Sequence, residues 1–260
     1  MKRPTINSQD ASYTLIIVMT SILIIGLLST LSFIRNGIYL NHVTLWADIV
    51  KRSPDKRRAH ENFGQALSTA AASTSIPAER QRYLIDALHE FQTVMALKDD
   101  GSVPERDLYR EIGVVYYRLE RYNDAIASWE RGLRDSPGDA SLLNNLSVVM
   151  LQQKRFDEAA KYARMALSVA PYMPQALNTM GQFFMAKRNY EQASQYFLKA
   201  LDQEPDVPQR YWNVAVALEH NGKYESALQY ARRYAVMATD PTARQRAQEL
   251  MEHLRKVSGK

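Results

Sequence analysis

"FDEAAKYARMALSVAP", residues 156–171, carries Phe156, Ala159 and Leu167 at helical spacing and ends at Pro171. The same kinds of residue return every 34 positions along the chain. The recurring sets are Tyr122, Phe156, Tyr190 and Tyr224; Ala125, Ala159, Ala193 and Ala227; Leu133, Leu167 and Leu201; and Pro137, Pro171 and Pro205. A fixed period that ends at a proline is typical of stacked helical hairpins. The opening stretch is therefore predicted to be the second helix of one repeat.

The predicted first helix of each repeat has a pattern of its own, with large apolar residues three and four positions apart. These residues are Tyr109, Ile112 and Tyr116; Leu143, Leu146 and Met150; and Leu177, Met180 and Phe184. The spacing places them on one helical face. A small residue follows the second member of each set, at Gly113, Ser147, Gly181 and, one unit later, Ala215. Such a residue allows two helices to approach closely.

The stretch "YREIGVVYYRLERYNDAIASWERGLRDSP", residues 109–137, resembles the tetratricopeptide repeat (TPR) at nearly every position. The resemblance covers roughly residues 38–256. It implies an all-α fold, a right-handed α-solenoid of about five helical hairpins followed by a C-terminal capping helix. The repeats of this family are scaffolds with many unrelated partners, so the resemblance is more informative about the fold than about activity.

The first repeat departs from the period. Gly64 and Ala87 are 23 residues apart, whereas the corresponding Gly113 and Ala125 are separated by 12. The extra residues are assigned to "STAAASTSIPAE", residues 68–79, whose small polar side chains predict either a longer hairpin loop or an extended first helix.

Residues 11–34 contain no charged side chain. At about 1.5 Å per helical residue, this stretch exceeds the hydrocarbon thickness of a bilayer, which is about 30 Å. An uncleaved signal anchor at 13–34 is the favoured interpretation, and a cleaved signal peptide is the alternative. Lys2 and Arg3 precede the stretch and Arg35 follows it, and we expect the amino terminus in the cytosol. The expected location is the bacterial inner membrane, single-pass, with the repeats in the periplasm.

These patterns divide the chain into nine predicted segments. They are a short tail at 1–12, a transmembrane signal anchor at 13–34, a juxtamembrane half repeat at 36–54, a degenerate repeat with an insertion at 55–100, repeats at 106–139, 140–173, 174–207 and 208–240, and a capping helix at 241–256. A half repeat at the start and a single helix at the end would cap the exposed ends of the stack.

The segment "RNGIYLNHVTLWADIVKRSPDKRRAHENFGQAL", residues 35–67, also resembles the stretch that follows the last span in multipass glycosyltransferase-like proteins with TPR repeats. In those proteins the repeats face away from the cytosol, which agrees with the expected orientation. Their multipass catalytic part has no counterpart in this sequence.

Composition argues against several chemistries. There is no cysteine, which excludes thiol nucleophiles, disulfides and metal-thiolate sites. No two of the five histidines lie three or four residues apart, so no helix presents a histidine pair to a metal. Basic and acidic residues are interleaved despite the net charge of +5, which does not indicate nucleic acid. The sequence therefore predicts a protein that is not an enzyme and has no cofactor and no metal.

First-helix side chains outside the core are expected to line the concave face of such a solenoid. The predicted partner-binding groove consists of Arg110, Tyr117, Asn144, Asn145, Asn178, Gln182, Trp212 and Asn213. Side-chain amides both donate and accept, so a ladder of them can pair with the backbone of an extended peptide. Two alternatives remain open: the asparagines bond within the solenoid, and Trp212 packs on the capping helix. The family's clamp for chaperone C-termini has no matching residues here.

Taken together, these features predict a membrane-anchored scaffold that binds protein or peptide partners in the assembly of a bacterial envelope machine for secretion, pili or polysaccharide. One alternative is an accessory subunit of a membrane glycosyltransferase-type enzyme, which the post-span resemblance favours. A second alternative is a cytosol-facing receptor with the opposite topology.

Overall fold

The computed structural model describes residues 41–259 together with 19–21, 23–24 and 27–28. The predicted tail at 1–12 and most of the predicted span at 13–34 lie outside the described residues. The described residues of that span are helical. Among all described residues, none belongs to a helix with the length and apolar character that crossing a bilayer requires.

Residues 41–259 form α-helices joined by short turns, and no strand occurs in this range. The helices are α1 His42–Arg52, α2 Arg57–Ser73, α3 Pro77–Ala96, α4 Glu105–Arg118, α5 Tyr122–Asp135, α6 Ala140–Gln152, α7 Phe156–Val169, α8 Pro174–Ala186, α9 Tyr190–Gln203, α10 Pro208–His220, α11 Tyr224–Met237 and α12 Pro241–Ser258. The all-α prediction is confirmed for this part of the chain.

The chain divides into two compact units, Met1–Val103 and Pro104–Lys260, which we call the N-terminal unit and the repeat unit. In the repeat unit each helix packs against the next one along the chain from α4 to α12. The first helices of neighbouring hairpins also touch, α4 with α6 and α6 with α8. The second helices α5, α7, α9 and α11 begin 34 residues apart, at the tyrosine or phenylalanine of the sequence pattern.

In the repeat unit the turn between the two helices of each hairpin places one residue in the left-handed region. These residues are Glu120, Lys154, Arg188 and Gly222, again 34 apart. In each turn the N–H of the following residue donates to a carbonyl five residues earlier, as Arg155 does to Met150 at 2.8 Å. This is the Schellman arrangement that ends a helix. Only one of the four turns has the glycine that favours such a backbone.

Close approach of α4 and α5 depends on Gly113. A Cβ atom added there would overlap the indole ring of Trp129. The Trp129 ring is buried, and its Nε1–H donates to the Arg110 carbonyl oxygen at 3.1 Å. The corresponding positions one repeat later are Ser147 and Ala163, both fully buried. One repeat therefore pairs a glycine on the first helix with a large ring on the second, and the next repeat has small side chains at both positions.

In the N-terminal unit, α1 packs on α2 and α2 packs on α3. The predicted insertion does not form a loop: α2 extends to Ser73 and α3 begins at Pro77, so most of the added residues lengthen the two helices. These helices have 17 and 20 residues, whereas α6 and α7 have 13 and 14.

Buried polar side chains, one of them the charged Arg57, connect the helices of the N-terminal unit. The Arg57 guanidinium donates from Nε to the Val94 carbonyl oxygen at 3.1 Å and forms an ion pair with Asp99. The His60 ring lies between the Glu90 carboxylate, 2.6 Å from Nδ1, and the Pro54 carbonyl oxygen, 2.8 Å from Nε2. These contacts attach α2 to the end of α3 and to the turn before α2.

Candidate functional site

The first helices of three successive hairpins in the repeat unit surround one cavity, which we call the repeat cavity. Its volume is about 530 Å³, within the range of ligand sites. Two of its lining residues, Val148 and Leu151, are aliphatic. The remaining lining residues are polar or charged: Gln152, Lys154, Gln175, Asn178, Thr179, Gln182 and Arg210. The cavity therefore combines a small apolar surface with many hydrogen-bonding groups.

Asn178 is oriented by its neighbour in the next hairpin. Asn213 donates from Nδ2 to Asn178 Oδ1 at 2.7 Å, and Asn213 Oδ1 accepts from Gln209 Nε2 at 3.0 Å. Because the oxygen of Asn178 accepts this bond, its amide N–H groups face away from Asn213. Within the described residues these N–H groups have no partner. Asn178 can therefore donate to a group in the repeat cavity.

The charged residues of the repeat cavity leave an excess of donors. The Glu204 carboxylate accepts from Arg210 Nε at 3.0 Å and from Gln175 Nε2 at 3.1 Å, so both of its oxygens are occupied. Lys154 is exposed and has no ion-pair partner among the described residues. Donor groups at Lys154, Asn178 and Gln182 thus face a cavity that has no free carboxylate among the described residues. Such a surface favours carbonyl or carboxylate oxygens of a ligand.

Two predicted groove residues lie at α4 and do not line the repeat cavity. The Arg110 Nη1 atom is 2.8 Å from Asp107 Oδ1, and its Nε is 3.5 Å from Glu111 Oε1. The Tyr117 ring is half-buried, with its centroid 5.7 Å from that of Tyr122 and 6.2 Å from that of Trp129. Burial, with a smaller contribution from Tyr122, raises the pKa of the Tyr117 phenol. The hydroxyl is therefore a neutral donor at physiological pH.

The amides do not form a continuous ladder. Asn144 and Asn145 are half-buried on α6, and Asn144 Oδ1 is buried without a hydrogen-bond partner among the described residues. Asn144 corresponds to Asn178 one repeat later, and Thr179 corresponds to Asn213. The Thr179 hydroxyl donates to the Gln175 carbonyl oxygen at 3.2 Å. Since threonine has no amide, the pairing seen between Asn178 and Asn213 is not repeated here.

Trp212 is half-buried and contacts the helices that follow it. Its ring centroid lies 5.2 Å from that of Tyr234 on α11, and the Arg246 guanidinium of α12 lies 5.9 Å from the ring centroid. This is the packing alternative that the sequence left open. Trp212 does not line the repeat cavity. Of the eight predicted groove residues, Asn178 and Gln182 line it.

The structure adds cavity residues that sequence reasoning did not single out: Leu151, Gln152, Lys154, Gln175 and Arg210. They lie at helix ends and in one turn, where the helical pattern does not say which way a side chain faces. Across the described residues, no three His, Cys, Asp or Glu side chains are placed to hold a metal ion.

The family model described as "Tetratricopeptide repeat" matches residues 110–174 and 178–244, together just over half of the chain. The chain belongs to the tetratricopeptide repeat family. Repeats of this family typically mediate protein or peptide binding. No curated protein sequence matches the chain.

Several solved structures share the fold. YrrB, described as a TPR protein with an unusual peptide-binding site, has a TM-score of 0.53 and 19% identity, over 78% of this chain and 97% of YrrB. PilF of Pseudomonas aeruginosa has a TM-score of 0.59 and 21% identity, over 78% of this chain and 84% of PilF. MamA from Desulfovibrio magneticus RS-1 has a TM-score of 0.52 and 17% identity, over 70% of this chain and 95% of the MamA chain. At these identities the likeness shows the fold alone.

Proposed function

We propose that the protein is a membrane-anchored scaffold whose repeat cavity binds an extended segment of a partner protein. The partner belongs to a bacterial envelope machine for secretion, pili or polysaccharide. The observation that carries the proposal is the repeat cavity itself, in which three successive first helices present hydrogen-bond donors while the nearby Glu204 carboxylate is already paired.

An extended peptide fits this chemistry. Its backbone carbonyl oxygens would accept from Asn178, Gln182 and Lys154, while one apolar side chain would contact Val148 and Leu151. Backbone pairing gives affinity that depends little on sequence, and the apolar contact adds selectivity. An acidic side chain near Lys154 would bind more favourably than a basic one because the repeat cavity has no free carboxylate among the described residues.

The proposed anchor at 13–34 is supported by the uncharged sequence and by the exposure of its described side chains. Met19, Leu23 and Leu27 are each more than half exposed. Large apolar side chains left exposed in a group need a lipid or protein surface to cover them. An anchor would hold the repeat cavity near the membrane and raise its effective concentration for partners in the same layer.

The cavity is tested by cross-linking in cells. A photoreactive benzoylphenylalanine replaces Gln152, an exposed residue at the edge of the repeat cavity, and the double variant Asn178→Ala, Gln182→Ala is built on that background. We expect a discrete cross-linked partner that the double variant abolishes. Gln195→Ala removes an exposed amide from α9, a second helix, and serves as the matched control. If the double variant gives the same yield of cross-linked product, the proposal is contradicted.

Topology is tested with Lys256→Cys, an exposed position on α12, and a maleimide that does not cross membranes. The chain has no native cysteine, so labelling reports this position alone. Labelling after only the outer barrier of the cell is opened is the expected result. Labelling that requires lysis of the inner membrane would instead place the repeats in the cytosol.

A further inference from the structure

The N-terminal unit contains a second cavity, which we call the N-terminal cavity, with a volume of about 560 Å³. It lies between α1, α2 and α3. Thr69 and Ser73 line it from the lengthened end of α2, and Glu79 and Tyr83 line it from the lengthened start of α3. The insertion that breaks the repeat period therefore builds part of its wall. Trp46 of α1 lines it as well and is half-buried.

The charge of the N-terminal cavity differs from that of the repeat cavity. No lysine or arginine lines it; its titratable lining groups are the acidic Glu79, the histidine His42 and the phenol of Tyr83. A phosphate or carboxylate ligand would find no lysine or arginine among these lining residues and would be repelled by Glu79. The lining chemistry therefore disfavours an anionic ligand.

Polar groups without partners surround the N-terminal cavity on all three helices. The Trp46 indole N–H, the Asn62 amide and the Tyr83 hydroxyl make no hydrogen bond within the described residues. Glu79 Oε2 accepts from Thr74 Oγ1 at 2.9 Å, which leaves Oε1 as an acceptor. Gln65 Nε2 is 3.4 Å from Glu61 Oε1, which leaves the Gln65 side-chain oxygen as a second acceptor. The lining thus offers both donors and acceptors to one space.

Apolar atoms complete the lining, from Val43 and Trp46 of α1 and Ala66 and Ala70 of α2. A ligand that suits this cavity has an apolar face, a rim of groups that both donate and accept, and no negative charge. A pyranose ring has these properties, since each hydroxyl is a donor and an acceptor and the ring C–H groups form an apolar face. A peptide offers its polar groups along a line, whereas here they come from three sides.

We propose that the N-terminal cavity binds a neutral saccharide, with Asn62, Gln65 and Glu79 contacting its hydroxyl groups and Trp46 contacting the ring face. The volume is within the range of small-molecule sites. The saccharide is either free or carried on a lipid, and the chemistry of recognition is the same in both cases. This site is independent of peptide binding in the repeat cavity.

The test uses the full chain in lauryldimethylamine oxide micelles, because a detergent with a sugar headgroup would compete. Saturation-transfer NMR is recorded with maltotriose, cellotriose and chitotriose, and with monogalactosyl diacylglycerol in nanodiscs as the lipid-borne probe. We expect saturation transfer to at least one of these saccharides. Transfer to a trisaccharide indicates a free ligand, and transfer to the glycolipid alone indicates a lipid-borne one. Transfer to none of the four probes would overturn the proposal.

Variants locate the site. Asn62→Leu and Gln65→Leu each remove hydrogen-bonding groups and are expected to weaken binding about tenfold or more, the equivalent of one to two hydrogen bonds. Gln92→Leu, at an exposed amide of α3 that does not line the cavity, is expected to bind as the unchanged chain does. Gln65 is itself exposed, so its variant tests the site even where Asn62→Leu impairs folding. Undiminished binding by folded Gln65→Leu would show that the saccharide binds elsewhere and overturn the proposal.

Discussion

The two units of the chain stabilise their helices in different ways. In the N-terminal unit three charged or titratable side chains, Arg57, His60 and Glu61, are almost fully buried. In the described part of the repeat unit the buried polar side chains are Ser147, Thr179 and Ser194, none of which is charged. Regular hairpins pack through complementary apolar volumes, whereas the irregular hairpin is held by specific ion pairs and hydrogen bonds. Buried ionic contacts are costly to break, so the N-terminal unit depends on a few individual residues.

The largest effect is expected from filling the space beside Trp129. Gly113→Ala introduces a Cβ 2.2 Å from the Nε1 atom of Trp129, so the ring must move and lose its bond to the Arg110 carbonyl oxygen. We expect a loss of about 3 kcal/mol in the free energy of unfolding. In the N-terminal unit Gly64→Ala meets Phe91 Cε1 at 2.7 Å, a shallower overlap with a smaller expected loss.

Urea denaturation of the full chain measures these losses, and hydrogen exchange assigns each loss to one unit. Gly138→Ala is the matched control because no heavy atom lies within 4 Å of its Cβ position. Equal stability of the variants at Gly113 and Gly138 would refute the volume argument.

The second prediction concerns Arg57, a buried charged residue of the N-terminal unit. Arg57→Met leaves the Val94 carbonyl oxygen and Asp99 without their partner, and we expect a loss of about 2 kcal/mol. Exchange should accelerate at the end of α3 and in residues 97–103, with no change in the repeat unit. Arg52→Met, whose ion pair with Asp48 is largely exposed, is the control and should cost less than about 0.5 kcal/mol. If hydrogen exchange at residues 97–103 stays slow in Arg57→Met, Arg57 does not hold this segment against α2.

The third and smallest effect concerns the hairpin turns of the repeat unit. Lys154 adopts a φ of 59°, which costs a residue with a Cβ about 1 kcal/mol or more. Lys154→Gly removes this strain, although glycine is more flexible when unfolded, and we expect stabilisation of up to about 1 kcal/mol. Gly222→Ala, at a φ of 73° in the equivalent turn, should destabilise by a similar amount. Thermal unfolding measures both variants, and a shift in the same direction for the two would exclude backbone strain as the cause.

Much of the fold could be read from the sequence because helical hairpins are local. The 34-residue recurrence of Tyr122, Phe156, Tyr190 and Tyr224 marks the starts of the second helices, and each of these residues begins a helix in the structure. The small residues Gly113 and Gly181 mark close helix contacts. The sequence did not show that Trp129 and Phe197, 16 residues later, fill the space that they leave.

The candidate sites were less predictable. Among the eight predicted groove residues, Asn178 and Gln182 line the repeat cavity, while Tyr117 and Trp212 pack against neighbouring aromatic rings. A helical pattern tells which face a residue occupies but not whether a neighbouring helix covers it. The replacement of an asparagine by Thr179, which interrupts the amide ladder, is visible in the sequence only after the contact between Asn178 and Asn213 is known.

By itself the sequence determined the helical class, the repeat period, the extra length of the first hairpin and the absence of cysteine chemistry. These follow from periodicity and composition, which act over one or two turns of helix. The tertiary structure decided that the extra residues lengthen α2 and α3, that they line a cavity with Trp46, and that within the described part of the chain the amide N–H groups of Asn178 have no partner. Each of these depends on which helices meet and which atoms have already found partners, and contacts between residues distant in the chain settle both.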